Sequence, residues 1–60
     1  MKEGQSYIVK TREHYGVLQK ITVIEITDLT YLIDFELNKN LKRIFKKEFE
    51  TRYRIIERLS

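Results

Sequence analysis

Hydrophobic and polar residues alternate most regularly in the middle of the chain. Between residues 29 and 37 every second residue is large and apolar, in the order Leu29, Tyr31, Ile33, Phe35 and Leu37. A period of two is typical of a strand with one buried face, because successive side chains of a strand point to opposite faces of its sheet. The pattern predicts a strand over residues 29–37, followed by a turn over residues 38–40, where asparagine tolerates left-handed backbone.

The residues before this strand also indicate β-structure. Residues 7–9 predict a short first strand, the polar residues 10–14 predict a loop, and Gly16 permits a bend or a close backbone approach. Residues 17–27 are rich in β-branched side chains, which favour a long strand. Its apolar alternation changes phase, from Val17, Ile21 and Val23 to Ile24 and Ile26. A strand with one buried face changes phase only at a bulge or a sharp bend, and we predict one here.

The last twenty residues allow two interpretations. Their apolar residues fall within an arc of about 180° on a single helix over residues 41–59, which predicts an α+β fold with a three-stranded sheet. Glu48 and Arg52 lie near the middle of that arc, where their charges would be costly to bury. The alternative, which we favour, is a strand over 41–46, a helical turn over 47–52 anchored by Phe49, and a closing strand over 53–59. The closing strand would turn three side chains inward: Tyr53, Ile55 and Leu59.

This order of elements resembles that of the SH3-like barrels, the class of five-stranded rolls that includes SH3, Tudor and chromo-barrel domains. The resemblance is carried by the runs Tyr31-Leu32-Ile33-Asp34-Phe35, Lys42-Arg43-Ile44-Phe45, Lys47-Glu48-Phe49-Glu50 and Tyr53-Arg54-Ile55-Ile56. The chain is also similar to short phage and prophage proteins of this architecture. The resemblance implies a single mainly β domain over residues 1–60, a small five-stranded SH3-like barrel with a short helical turn near residues 47–52. The chain has no tryptophan for a proline-binding groove, which argues against proline-rich ligands.

Composition argues against an enzyme. The chain has 60 residues with no cysteine, one histidine (His14), no proline and two isolated glycines, so it has no thiolate ligands and no glycine-rich phosphate loop. Asp34 and Glu36 would share one face of the central strand, where they are more typical of an exposed polar face than of a cation site. We interpret His14 as a solvated loop residue. We therefore expect no catalysis, no metal and no cofactor.

The basic residues are concentrated toward the end of the chain. Residues 1–38 carry four basic and six acidic side chains, whereas residues 39–60 carry eight basic and three acidic ones, within a net charge of +3. Such asymmetry favours an anionic partner. The candidate contacts are Tyr15, as a stacking or rim aromatic, with Lys39, Lys42, Arg43, Lys46, Lys47 and Arg54.

The function predicted from these features is that of a small non-catalytic binding or inhibitor module, of the phage accessory type if the resemblance holds. It would act through a protein partner or through self-association. Apolar residues out of phase with the predicted core are candidates for that contact: Ile8, Leu18, Leu32 and Ile56. The alternative is a nucleic-acid-binding protein of low sequence specificity that uses the basic C-terminal third. Without an apolar leader or a run of about 20 apolar residues, we expect a cytoplasmic protein without a membrane span.

Overall fold

A computed structural model describes residues 1–13, 15–37 and 39–60 of the chain. In these residues five strands and one short helix follow one another. They are β1 (Ser6–Thr11), β2 (Leu18–Ile26), β3 (Thr30–Phe35), β4 (Asn40–Phe45), α1 (Lys46–Arg52) and β5 (Tyr53–Arg58). The predicted mainly β class is confirmed.

The five strands form one antiparallel sheet in the order β4-β3-β2-β1-β5. Each strand pairs with its neighbour in the chain except β5, which crosses back to pair with β1. The hydrogen-bonded ladders of the described strands leave β4 and β5 as the two edges of an open sheet. The predicted element order is therefore present. The sheet of the described strands is not closed, so a barrel is not shown.

The core is formed by the face of the sheet that α1 covers. Eight side chains are buried there: Tyr7, Val9, Ile21, Val23, Ile33, Phe35, Ile44 and Phe49. In each of β1, β2 and β3 the buried residues are two positions apart, as the alternation of a strand requires. Among the described residues β5 contributes none of the eight, and its Tyr53 packs against the core while partly buried.

The phase change of β2 coincides with an irregularity of the sheet. The register between β2 and β3 shifts between Val23 and Glu25, so Ile24 has no partner in β3 and its side chain is exposed. Beyond this point Ile26 returns to the inner face opposite Tyr31. The predicted bulge is confirmed, and it lets one strand bury residues of both parities.

The segment after residue 40 is a strand, a seven-residue helix and a strand. The alternative of one helix over residues 41–59 is therefore wrong. Glu48 and Arg52 form an i,i+4 ion pair of 3.1 Å on the solvent side of α1, and Phe49 is the buried residue of the helix. Keeping these two charges in water explains why the helical periodicity of the sequence does not become a long helix.

Several predicted boundaries and orientations need correction. The central strand covers Thr30–Phe35 rather than 29–37, and both Leu29 and Leu37 lie outside it and are about 70% exposed. Ile55 lies opposite the buried Val9 and so shares the inner face as expected, but at this edge of the sheet it is 45% exposed. Leu59, which we also expected to face inward, lies beside Ser6 and is 43% exposed. The predicted loop over 10–14 loses its first two residues to β1, and the predictions for His14 and Asn38 lie outside the described residues.

The loop between β1 and β2 folds back closely on β1. Thr11 N donates to the Val17 carbonyl (3.1 Å), and Val17 N donates to Thr11 Oγ1 (2.8 Å). A Cβ atom added to Gly16 would lie 2.7 Å from the Thr11 carbonyl oxygen, which no side chain tolerates. The close backbone approach predicted at this glycine is confirmed.

Helix α1 packs against β3 and β5 through aromatic contacts. The Phe49 ring lies edge-on to Tyr31 with centroids 5.6 Å apart, and it lies 5.1 Å from the ring of Tyr53. Tyr53 in turn lies 5.9 Å from Phe35. Burial, and then the charge of Glu50 and the nearby Tyr7, raise the pKa of Tyr31 above its usual value.

Candidate interaction surfaces

The seven predicted contact residues do not form one patch. Two of them lie in loops: Tyr15, 85% exposed, between β1 and β2, and Lys39, with a positive φ of 48°, in the turn before β4. Arg54 lies on β5, at the opposite edge of the sheet from β4. The remaining four lie on β4 or at the start of α1, where they face in different directions: Lys42, Arg43, Lys46 and Lys47.

Two of these cations are already engaged by neighbouring groups. Arg43 projects from the outer face of β4, with Nη2 at 2.9 Å from Glu25 Oε1 and Nη1 at 3.1 Å from Thr30 Oγ1. Lys46 is half-buried, with Nζ 5.5 Å from the centroid of the Tyr31 ring. A cation held by a carboxylate or an aromatic face is less available to a ligand than an unengaged one.

The other two border separate depressions. Lys42 is on the same side of β4 as Ile44 and lines a shallow groove of about 140 Å³ with Gln19, Phe35, Asn40 and Tyr53. Lys47 lines a second depression, an open, mainly apolar cleft of about 560 Å³. We call this depression the Leu29–Phe45 cleft. Its lining residues are Asp28, Leu29, Phe45, Lys46, Lys47 and Glu48.

Local hydrogen bonds hold the Leu29–Phe45 cleft in shape. Thr27 and Thr30 close the β2–β3 turn through Thr27 N to the Thr30 carbonyl (2.9 Å) and Thr30 N to Thr27 Oγ1 (3.0 Å). Lys46 N donates to the Leu29 carbonyl at 2.8 Å and so joins the turn to the start of α1. With its backbone fixed, Leu29 is 70% exposed, and Phe45 beside it is 60% exposed.

Pairing of β1 with β5 creates a basic region that the sequence analysis missed. Lys10 and Arg54 are opposite each other in the ladder, and together with Thr11, Arg12 and one acidic residue, Glu13, they line a groove of about 230 Å³. Arg12 Nε donates to the carbonyls of Glu50 (2.9 Å) and Tyr53 (3.1 Å), which fixes its side chain against the end of α1. We name this cluster the Lys10–Arg54 region.

The sequence analysis missed Lys10, Arg12 and the exposure of Leu29 for physical reasons. Lys10 and Arg12 are separated from Arg54 by more than forty residues, so only the β1–β5 pairing reveals their proximity. Leu29 fits the period of the central strand, so the sequence pattern places it on the buried face of that strand. Only the turn formed by Thr27 and Thr30, a local polar pair, offered a sequence signal that the strand begins one residue later.

Two further observations limit the chemistry of the described residues. They contain no group of three or more histidine, cysteine, aspartate or glutamate side chains placed to hold a metal ion. The helix that they form is also too short and too polar to cross a bilayer. No protein-family model matches the chain, and no match is found among curated proteins or solved structures.

Proposed function

We propose that the chain is a non-catalytic protein-binding module, an open relative of the SH3-like rolls, whose partner inserts an apolar side chain into the Leu29–Phe45 cleft. One observation carries the proposal: two large apolar side chains, 70% and 60% exposed, border a preformed cleft instead of joining the core. The strand order and the short helix before β5 support the fold assignment. An origin in a phage and an inhibitory role remain predictions.

The composition of the cleft is that of a protein contact. Its lining combines the apolar Leu29 and Phe45 with charges of both signs: Asp28, Glu48, Lys46 and Lys47. Interfaces between proteins typically have an apolar centre, which supplies most of the binding free energy, and a polar rim that excludes water. A nucleic-acid surface would instead be dominated by positive charge.

The neighbouring edge strand extends this surface. The β3–β4 register is continuous from Thr30–Phe45 to Phe35–Asn40, so β4 is a regular edge without a bulge. Leu41, on the same face as Phe45, is 57% exposed. A regular edge offers backbone donors and acceptors to an added strand, and the cleft then provides a pocket for one of its side chains.

The proposal is tested by comparing three alanine variants of exposed apolar residues. Immobilised wild-type protein is incubated with a nuclease-treated lysate of the source cells, and captured proteins are quantified by mass spectrometry. We expect Phe45→Ala and Leu29→Ala to reduce capture of the same partner at least about tenfold, the size typical of a central contact. Leu37→Ala, at an equally exposed residue in the β3–β4 turn, is the matched control.

Equal capture by all four proteins would contradict the proposal. So would equal loss in all three variants, because Leu37 lies outside the cleft lining. Far-ultraviolet circular dichroism of each variant establishes that the fold is retained, as expected for residues that are mostly exposed.

Nucleic-acid binding is the second candidate, and the Lys10–Arg54 region is the observation that favours it. Lys10, Arg12 and Arg54 meet in one groove, and no salt bridge between described residues involves them. Three phosphate contacts predict a slope of about −2 for log K against log salt on single strands. Titration of a fluorescent oligonucleotide tests this, with Lys10→Ala and Arg54→Ala weakening binding and Lys47→Ala leaving it unchanged. Absence of binding at low salt excludes the candidate.

A further inference from the structure

We propose that two copies of the chain associate edge to edge, by antiparallel pairing of β5 with β5 of the second copy. β5 is an edge strand, and its residues from Arg54 to Arg58 are all exposed. They include Ile55 and Ile56, each 45% exposed, and the adjacent Leu59 is 43% exposed. An exposed apolar edge strand is the element that proteins most readily use for strand addition.

The sequence of β5 is complementary to itself when reversed. In the register centred between residues 55 and 56, Arg54 lies opposite Glu57 of the second copy, and Ile55 lies opposite its Ile56. The two-fold axis of an antiparallel pair repeats each contact, so the interface contains two pairs of opposite charge, with Ile55 and the bulged Ile56 of each copy at its centre. Opposite charges and apolar pairs directly across a ladder are the stabilising combinations.

A bulge in β5 makes this register possible. Residues opposite each other in an antiparallel ladder share a face, so Arg54 and Glu57 must point to the same side of the sheet. In a regular strand, residues three apart point to opposite sides. Here Arg54 pairs with Lys10 and Glu57 pairs with Ile8, which are two apart in β1, because the register shifts and Ile56 is the extra residue. The shift therefore brings both charges to the outer face.

The other edge of the sheet cannot pair with itself in the same way. β4 is regular, so a two-fold pairing that preserves faces must be centred on a residue and not between two residues. The two registers with the longest overlap place Lys42 opposite Lys42, or Arg43 opposite Arg43, of the second copy. Like charges directly opposite are destabilising. Charge therefore distinguishes β5 as the edge for a second copy.

The interface of the resulting dimer would be small, and its two-fold symmetry would join the two sheets. A six-residue strand pair buries less area than the interfaces of stable dimers, so we expect association that depends on concentration. The two sheets would merge into one of ten strands, with a β4 edge and a Leu29–Phe45 cleft at each end. This inference does not depend on the proposed function, since neither Leu29 nor Phe45 lies at the β5 edge.

Charge reversal tests the pairing directly. The molecular mass of the wild type is measured by analytical ultracentrifugation from about 10 µM to about 1 mM, a range suited to a weak interface. We expect a concentration-dependent rise toward the dimer mass. Arg54→Glu and Glu57→Arg each replace two attractive pairs with two repulsive ones and should weaken the dimer at least about tenfold. The double variant Arg54→Glu/Glu57→Arg restores opposite charges and should restore association.

Lys47→Glu is the matched control for Arg54→Glu, because it makes the same change in net charge at an exposed residue away from β5. Circular dichroism of every variant separates loss of pairing from loss of folding. The proposal is overturned if the wild type is monomeric at the highest concentration, or if the single reversals dimerise as well as the wild type does. A folded double variant that stays monomeric would also overturn it.

Discussion

The two edge strands of the sheet have the same length, but only one of them, β5, has a bulge. β4 and β5 are both six-residue strands, each paired on one side only. β4 is regular and borders an apolar cleft, whereas β5 has an extra residue, Ile56, that brings Arg54 and Glu57 to one face. A single unpaired residue thus changes which partners an edge strand is able to accept. Under the two proposals, β4 would bind a different protein and β5 would bind a second copy of the chain.

The largest expected effect concerns the buried side chain of α1, which packs against β3 and β5. Phe49 is buried between Tyr31 and Tyr53, and Phe49→Ala should lower the free energy of unfolding by about 3–5 kcal/mol. A 60-residue domain has a total stability of that order, so the variant should be largely unfolded. Urea denaturation followed by circular dichroism measures the change. The control, Phe45→Ala, removes an exposed ring and should cost less than about 1 kcal/mol; equal losses would contradict the assigned burial.

A smaller effect is expected from the contact that holds the start of β5. Arg12→Ala removes two hydrogen bonds to the carbonyls of Glu50 and Tyr53 and should cost about 1 kcal/mol, since the side chain is exposed. Amide hydrogen exchange should show the loss of protection concentrated in β5 and not in β4. Arg58→Ala, a change at an exposed arginine of β5 itself, serves as the control and should cost less than about 0.5 kcal/mol. Uniform deprotection of both edges would show that Arg12 does not act locally.

The β4 edge offers a change of the opposite sign. Lys39 precedes β4 with a φ of 48°, a left-handed backbone that glycine adopts without steric cost. Lys39→Gly should raise the free energy of unfolding by about 0.5 kcal/mol, the relief being partly offset by the greater freedom of glycine in the unfolded chain. Lys42→Gly, inside the strand of the same hairpin, should lower it instead. Chemical denaturation of both variants checks the two signs, and a loss in both would contradict the assigned turn geometry.

The smallest effect is a dependence on pH beside the β4 edge. Because the folded pKa of Tyr31 is raised, first by burial and then by Glu50 and Tyr7, the folded protein keeps the phenolic proton longer than the unfolded chain does. Its contribution to stability is full below the unfolded pKa of about 10 and is lost as pH rises through the folded value. Tyr31→Phe should therefore lose less stability than the wild type between about pH 9 and about pH 11. The free energy of unfolding is measured by chemical denaturation at each pH. Equal losses of this free energy in the wild type and in Tyr31→Phe would contradict the prediction.

Much of the architecture was predictable because short-range patterns determine it. The alternation around Ile33 predicts a central strand, the phase change near Ile24 predicts the β2 bulge, and the charges of Glu48 and Arg52 exclude the long helix. Each of these signals lies within a few residues of its consequence. The predicted ends of the strands were less accurate. Leu29 continues the alternating pattern of the strand, although it lies in the turn that Thr27 and Thr30 close.

The candidate surfaces were less predictable because they depend on contacts distant in sequence. The sequence does not show that Arg43 is paired with Glu25, or that Arg54 lies at the opposite edge of the sheet from β4. The seven predicted contact residues therefore do not form one surface. The Lys10–Arg54 region exists only through the β1–β5 ladder. The bulge at Ile56 likewise has no signal within β5, since it is defined by the register with β1.

The pairing of the first strand with the last also has a consequence for the order in which the fold forms. β1 is synthesised before every other strand, yet its ladder with β5 waits until residues 53–58 have been made. During translation β2, β3 and β4 can form hairpins in turn, while one side of β1 stays without its native neighbour. Ladders between residues so far apart in sequence close slowly, because the intervening chain must lose entropy first. The β1–β5 ladder is therefore expected to form after the hairpins of β2, β3 and β4.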